Sequence, residues 1–107
     1  MTWTVHTSDV AEQGLQEIES YIADVLSEPI IAEKQVDRIL AAIESLDELP
    51  LRHRLYEHEP WQSLGFRVFP VDNFLIFYLP DEAARTVTVS HVIYGSRDIP
   101  VQLEQSE

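Results

Sequence analysis

The 107 residues contain no cysteine, which removes both a disulfide framework and a thiolate metal site. That absence suits a reducing compartment. Positive charge is scarce as well: seven lysines and arginines stand against 19 acids, for a formal net charge of −12. A surface of this balance repels polyanions, because nucleic-acid affinity comes largely from neutralising phosphates. Strong direct nucleic-acid binding is therefore disfavoured for the molecule as a whole, and any anion site must be local. There are only three glycines, and neither a Gly-rich phosphate loop nor a GxSxG nucleophile motif is present. No window approaches about 18 uninterrupted apolar residues. The opening MTWTVHTSDV has no cationic segment followed by an apolar stretch. The expectation is a cytoplasmic protein with no membrane span.

What is present is a chain of one-domain length, residues 1–107, with a hydrophobic fraction of 45% that argues against disorder. Charge is unevenly spread. Residues 1–50 carry eleven acids against Lys34 and Arg38, a net of −9. Residues 51–107 carry eight acids against Arg52, Arg54, Arg67, Arg85 and Arg97, a net of −3. A local anion site would belong to the second half.

Hydrophobic spacing divides the chain into elements. WTVH (3–6) alternates like a short strand. Ser8 then suits a helix N-cap, with Asp9 and Glu12 in the first turn where the dipole favours negative charge. Ala11, Leu15, Ile18, Ile22 and Val25 recur at three and four, predicting one apolar helix face to about Leu26. SEP (27–29) interrupts, and Pro29 suits the first position of a second helix. Its stripe of Ala32, Val36, Ile39, Leu40, Ile43 and Leu46 runs to LDELP, where Pro50 stops it. Two helices with a short joint make an αα-hairpin.

After the polar connector LRHRLYEHEPW (51–61) the period becomes two. GFRVFPV (65–71), NFLIFYL (73–79) and TVTVSHVIYG (86–95) predict three strands, joined by a tight turn at Asp72-Asn73 and a wider one at PDEAAR. Pro70 lacks a donor and belongs at a strand end, bulge or edge. The order β-α-α-β-β-β implies an α+β fold, an antiparallel sheet with the αα-hairpin on one face.

Candidate site residues cluster in the second half. Gly95 lets the chain turn out of the last strand, and Arg97 beside Asp98 could hold a phosphate or carboxylate bidentately. An Arg97 salt bridge pinning the tail is the alternative. Arg67 could meet Arg97 on an open sheet face, or point to solvent and lay its stem over Phe69. His53, His58 and His91, with Glu57 and Glu59, follow no metal-ligand spacing, and no metal is expected. Tyr56, Tyr78 and Tyr94 could stack bases or assist proton transfer, although strand aromatics ordinarily pack across strands. The acidic helices read as a solvated face, yet they would suit a basic peptide segment.

Together these segments resemble the RelE/ParE superfamily of bacterial type II toxins over almost the whole chain. The likeness rests on AEQGLQEIESYI, on LDELP followed by Arg52, on GFRVFPVDNFLIFY and on VTVSHVIYGSRDI. It implies the toxin of a toxin–antitoxin, plasmid-stabilisation module, neutralised by a cognate antitoxin in a hetero-oligomer and needing no cofactor. RelE-like members cleave mRNA in the ribosomal A site without metal, whereas ParE-like members poison DNA gyrase. Arg97 matches the superfamily's arginine after the last strand, and Arg67 matches a basic position on the first strand of the sheet pair. Phe69 stands at the second basic position and Leu75 at the strand arginine after the turn. Leu103 lies near the place of a C-terminal tyrosine. Losing those groups removes charge stabilisation of a scissile phosphate. The resemblance thus favours a ParE-like toxin that inhibits DNA gyrase, with Arg67, Tyr78, Tyr94, Arg97 and Asp98 binding either the target or the antitoxin. The alternatives are a nuclease using Arg67, Arg97, His91 and Tyr94, and a non-toxic module that keeps only antitoxin binding.

Overall fold

The computed structural model describes residues 2–95, 99 and 103. The element order is β1 (Thr4–Thr7), α1 (Asp9–Ser20), α2 (Pro29–Glu44), a short α3 (Trp61–Leu64), β2 (Arg67–Val71), β3 (Phe74–Asp81) and β4 (Thr86–Tyr94). The strands form one sheet in the order β1-β4-β3-β2. The last three strands are antiparallel, as their short turns require. β1 adds to β4 in parallel, so the sheet is mixed rather than wholly antiparallel. Turn chemistry dictates the direction of hairpin strands, but it does not reach a first strand whose partner lies some eighty residues away. That pairing is held by long-range bonds instead. Thr4 N–H donates to the Arg85 carbonyl and Ser8 N–H to that of Val89.

Ser8 caps α1 as its position suggests: its hydroxyl accepts from the Ala11 N–H and donates to the Ser90 carbonyl. One side chain therefore starts the helix and ties it to β4. Beyond Ser20 the chain does not continue as α-helix. Tyr21–Val25 is a π-turn closed by Leu26 N–H on the Tyr21 carbonyl. The extra residue in this turn rotates the apolar stripe out of register. Ile22 stays buried, but Val25, expected on the inner face, is 66% exposed.

Register places the two faces of the sheet. Arg67, Phe69 and Val71 of β2 lie opposite Tyr78, Ile76 and Phe74 of β3. These side chains share a face with Val87, Val89 and Val92, beneath Ala11, Leu15, Ile18, Ala32, Ile39 and Ile43 of the helices. On the reverse face Val68, Phe77 and Ile93 pack with Tyr56 and Leu103, flanked by Trp61, Leu75 and Ile99. Both faces are thus covered, and neighbouring Phe77 and Tyr78 are each fully buried. At this point β4 bulges, and Ser90 is the extra residue between the pairs Phe77–His91 and Tyr78–Val89. Its hydroxyl donates to the Phe77 carbonyl. Pro70 lies on β2, an edge strand, where a missing donor costs no ladder bond.

Candidate functional site

Among the described residues, the sequence-predicted Arg67, Tyr78, His91 and Tyr94 do not converge. Arg67 neither points freely to solvent nor stands open on a sheet face. Its guanidinium donates to the carbonyls of Leu51, at 3.1 Å, and His53, at 2.6 Å. The connector 51–56 is pinned to β2 by the same region: Tyr56 N–H donates to Phe66 and Val68 N–H to Arg54. The arginine thus holds the connector in place. Tyr78, expected as a contact residue, has no exposed surface. Its hydroxyl donates to the Pro50 carbonyl at 2.5 Å, and burial pushes its pKa up to about 12 against the opposing pull of Arg67 and Arg52. It closes the core over the end of the helical hairpin and presents nothing to a partner.

His91 lies on the reverse face, opposite Phe77 and 3% exposed. Its Nδ1 lies 2.9 Å from the Ser90 hydroxyl, while Nε2 is buried with no hydrogen-bond partner. Burial lowers its pKa below the ordinary histidine value. The sheet itself separates His91 from Arg67. His53 stacks on Phe69 with ring centroids 3.8 Å apart, and its pKa is lowered by burial and then by Arg52. Among the described residues no group of three histidines or carboxylates gathers to hold a metal. Arg97 and Asp98 lie outside the described residues.

The two leucines that the resemblance sets at the places of a strand arginine and a C-terminal tyrosine have apolar surroundings. Leu75 and Leu103 belong to the reverse-face cluster around Tyr56 and Phe77, and Leu103 is only 1% exposed. Packed hydrocarbon there offers neither a cation for a phosphate nor a group to move a proton.

Of the predicted Arg67, Tyr78, His91 and Tyr94, all among the described residues, Tyr94 is the exposed one. It is 42% exposed and leans on Phe74 with centroids 5.7 Å apart. Both rings line a cleft of 520 Å³ between α1 and the end of the sheet where β3 begins and β4 ends. Glu17, Tyr21, Leu26 and Gln35 form its other walls over a floor that includes Gly14 and Val92. Sequence reasoning missed this cleft. The available signal was the crowding of Val25, Leu26, Ile30 and Ile31 about the SEP break, more apolar residues than two helix faces need.

The mixed four-stranded sheet carrying an αα-hairpin is the fold of solved toxin structures. The family model described as "ParE toxin of type II toxin-antitoxin system, parDE" matches residues 5–99, and the chain belongs to this family. Solved structures with the same fold include the chromosomal ParDE system of P. aeruginosa, with a TM-score of 0.73 at 16% identity over 87% of this chain and 96% of that one. The toxin–antitoxin complex RelBE2 of Mycobacterium tuberculosis gives 0.65 at 18% identity over 88% and 99%. An arginine double mutant of the E. coli toxin RelE in the free state gives 0.64 at 9% identity over 99% and 95%. No curated protein sequence matches the chain. Among the described residues no helix is long and apolar enough to cross a membrane.

Proposed function

We propose that this protein is the toxin of a type II toxin–antitoxin module, and that it arrests growth in the cytoplasm by binding DNA gyrase rather than by cleaving RNA. The observation that carries the second clause is the apolar packing of Leu75 and Leu103, which stand where the resemblance sets a nuclease's strand arginine and C-terminal tyrosine. The separation of Arg67 from His91 by the sheet supports it, since charge stabilisation and proton transfer must meet at one phosphate. The net charge of −12 supports it too, because an RNA-bound ribosomal site repels such a surface. The ParE family match and the ParDE structure agree with this reading, and with a cognate antitoxin as partner.

The test is pulse labelling within minutes of inducing the protein without its antitoxin. Thymidine incorporation is expected to fall first, and purified gyrase is expected to lose supercoiling activity in its presence. If methionine incorporation falls first, an mRNA endonuclease built on Arg67, Arg97, His91 and Tyr94 replaces the gyrase reading. If neither falls, the chain is a non-toxic antitoxin-binding module.

A further inference from the structure

We propose that the π-turn between α1 and α2, together with the cleft behind it, is the docking surface for a basic, amphipathic segment of the cognate antitoxin; this rests on the toxin–antitoxin reading above. Five large apolar side chains are exposed here within eleven residues: Tyr21 at 51%, Val25 at 66%, Leu26 at 51%, Ile30 at 69% and Ile31 at 52%. Single exposed apolar residues need no explanation, but a continuous group marks an interaction surface. The π-turn is what creates it. A regular α-helix through 21–25 would have carried Val25 inward, and the wide turn leaves it outside.

Tyr21 and Leu26 also line the cleft, so the exposed group reaches it. Its volume of 520 Å³, walled by Tyr21, Phe74 and Tyr94, accommodates a bulky apolar anchor from the partner. Apolar residues at helical spacing on that partner would reach the patch and the cleft together.

Charge selects the partner. Residues 12–37 carry seven acids and one cation, Lys34. Glu17, Asp24, Glu28 and Glu33 are exposed about the patch. Among the described residues the single ion pair is Arg38–Asp72, so these carboxylates are not neutralised from within. An apolar surface rimmed by unpaired carboxylates complements apolar anchors flanked by lysine or arginine. A second copy would bring the same carboxylates and a second net charge of −12. RNA and anionic membrane are repelled for the same reason.

The experiment uses the full chain and the protein encoded by the adjoining reading frame, fluorescently labelled, with affinity read by anisotropy at 50 and 300 mM NaCl. The double variant Tyr21→Ser/Ile31→Ser is expected to weaken binding about tenfold or more, since buried aromatic anchors dominate interfaces. The wild-type affinity is expected to fall with salt, and the triple variant Asp24→Asn/Glu28→Gln/Glu33→Gln to bind more weakly with a flatter salt response. Leu64→Ser, at another exposed apolar position, is expected to bind as wild type. Circular dichroism checks that each variant is folded. Tight binding that neither set of substitutions nor salt alters would overturn this surface and leave the toxin–antitoxin reading standing. Self-association of the toxin, abolished by Tyr21→Ser/Ile31→Ser, would overturn it in favour of a second copy. No complex with the wild-type chain would overturn both.

Discussion

His91 shows how a single residue can look functional in sequence and be structural in space. Its imidazole is held neutral inside an apolar layer, with one nitrogen beside Ser90 and the other unpartnered. Burial lowers its folded pKa below the unfolded value of 6.5. Between those two values the unfolded chain takes a proton that the folded one refuses. Stability is therefore fully present above about pH 6.5 and falls as pH drops toward the folded pKa. His53, lowered in the same sense, adds to the slope. Urea unfolding across pH 5–7.5 is expected to show this loss. In His91→Leu the slope should flatten, while stability at pH 7.5 stays within about 1 kcal/mol, because an apolar side chain replaces an unsatisfied polar one. An unchanged slope would mean that other groups set it. Histidine content and strand periodicity reveal that such a residue exists. They do not reveal its burial, which depends on what the fold lays over the reverse face of the sheet beside Phe77.

At the scale of elements, Gly14 marks the limit of reading helices from propensity. Glycine in mid-helix is unfavourable by about 1 kcal/mol relative to alanine, and so weakens the expectation of a helix there. The structure supplies the reason: a Cβ at this position would stand 2.5 Å from the Val92 backbone carbonyl. Glycine lets α1 lie directly on β4. The obstructing atom is main chain, so it cannot swing aside as a side-chain tip would. Gly14→Ala should therefore destabilise by about 1–3 kcal/mol despite the better propensity, whereas Gln13→Ala on the exposed side should be near neutral. Thermal melts of both decide it, and a raised melting temperature for Gly14→Ala would show that α1 can retreat at no cost. The αα-hairpin and the three C-terminal strands were legible because their periods, caps and turns are local. The parallel placement of β1 and the π-turn were not, since each depends on what packs against it. The cleft therefore escaped notice, while Tyr94, one of its walls, did not.

Across the whole molecule, charge is the feature that composition states most plainly and that no single contact explains. The described residues extend over 44 × 30 × 22 Å, and the first half of the chain carries a net of −9. At 0.01 M salt the screening length is about 30 Å, so most carboxylates feel most others; at 0.15 M it is about 8 Å, and only neighbours interact. Repulsion among like charges works against the compact state. Raising NaCl from 10 to 150 mM is thus expected to lift the melting temperature by on the order of a few degrees. The effect should be smaller in Asp24→Asn/Glu28→Gln/Glu33→Gln, which thins the acidic half of the chain, than in Glu57→Gln/Glu59→Gln/Glu82→Gln from the sparser half. If the two triple variants respond alike, repulsion is spread evenly and the helical hairpin holds no special share. If the hairpin variant alone loses the response, the acids that would draw a basic partner are also those that strain the free protein. Binding such a partner would then relieve that repulsion as well as cover the exposed apolar surface.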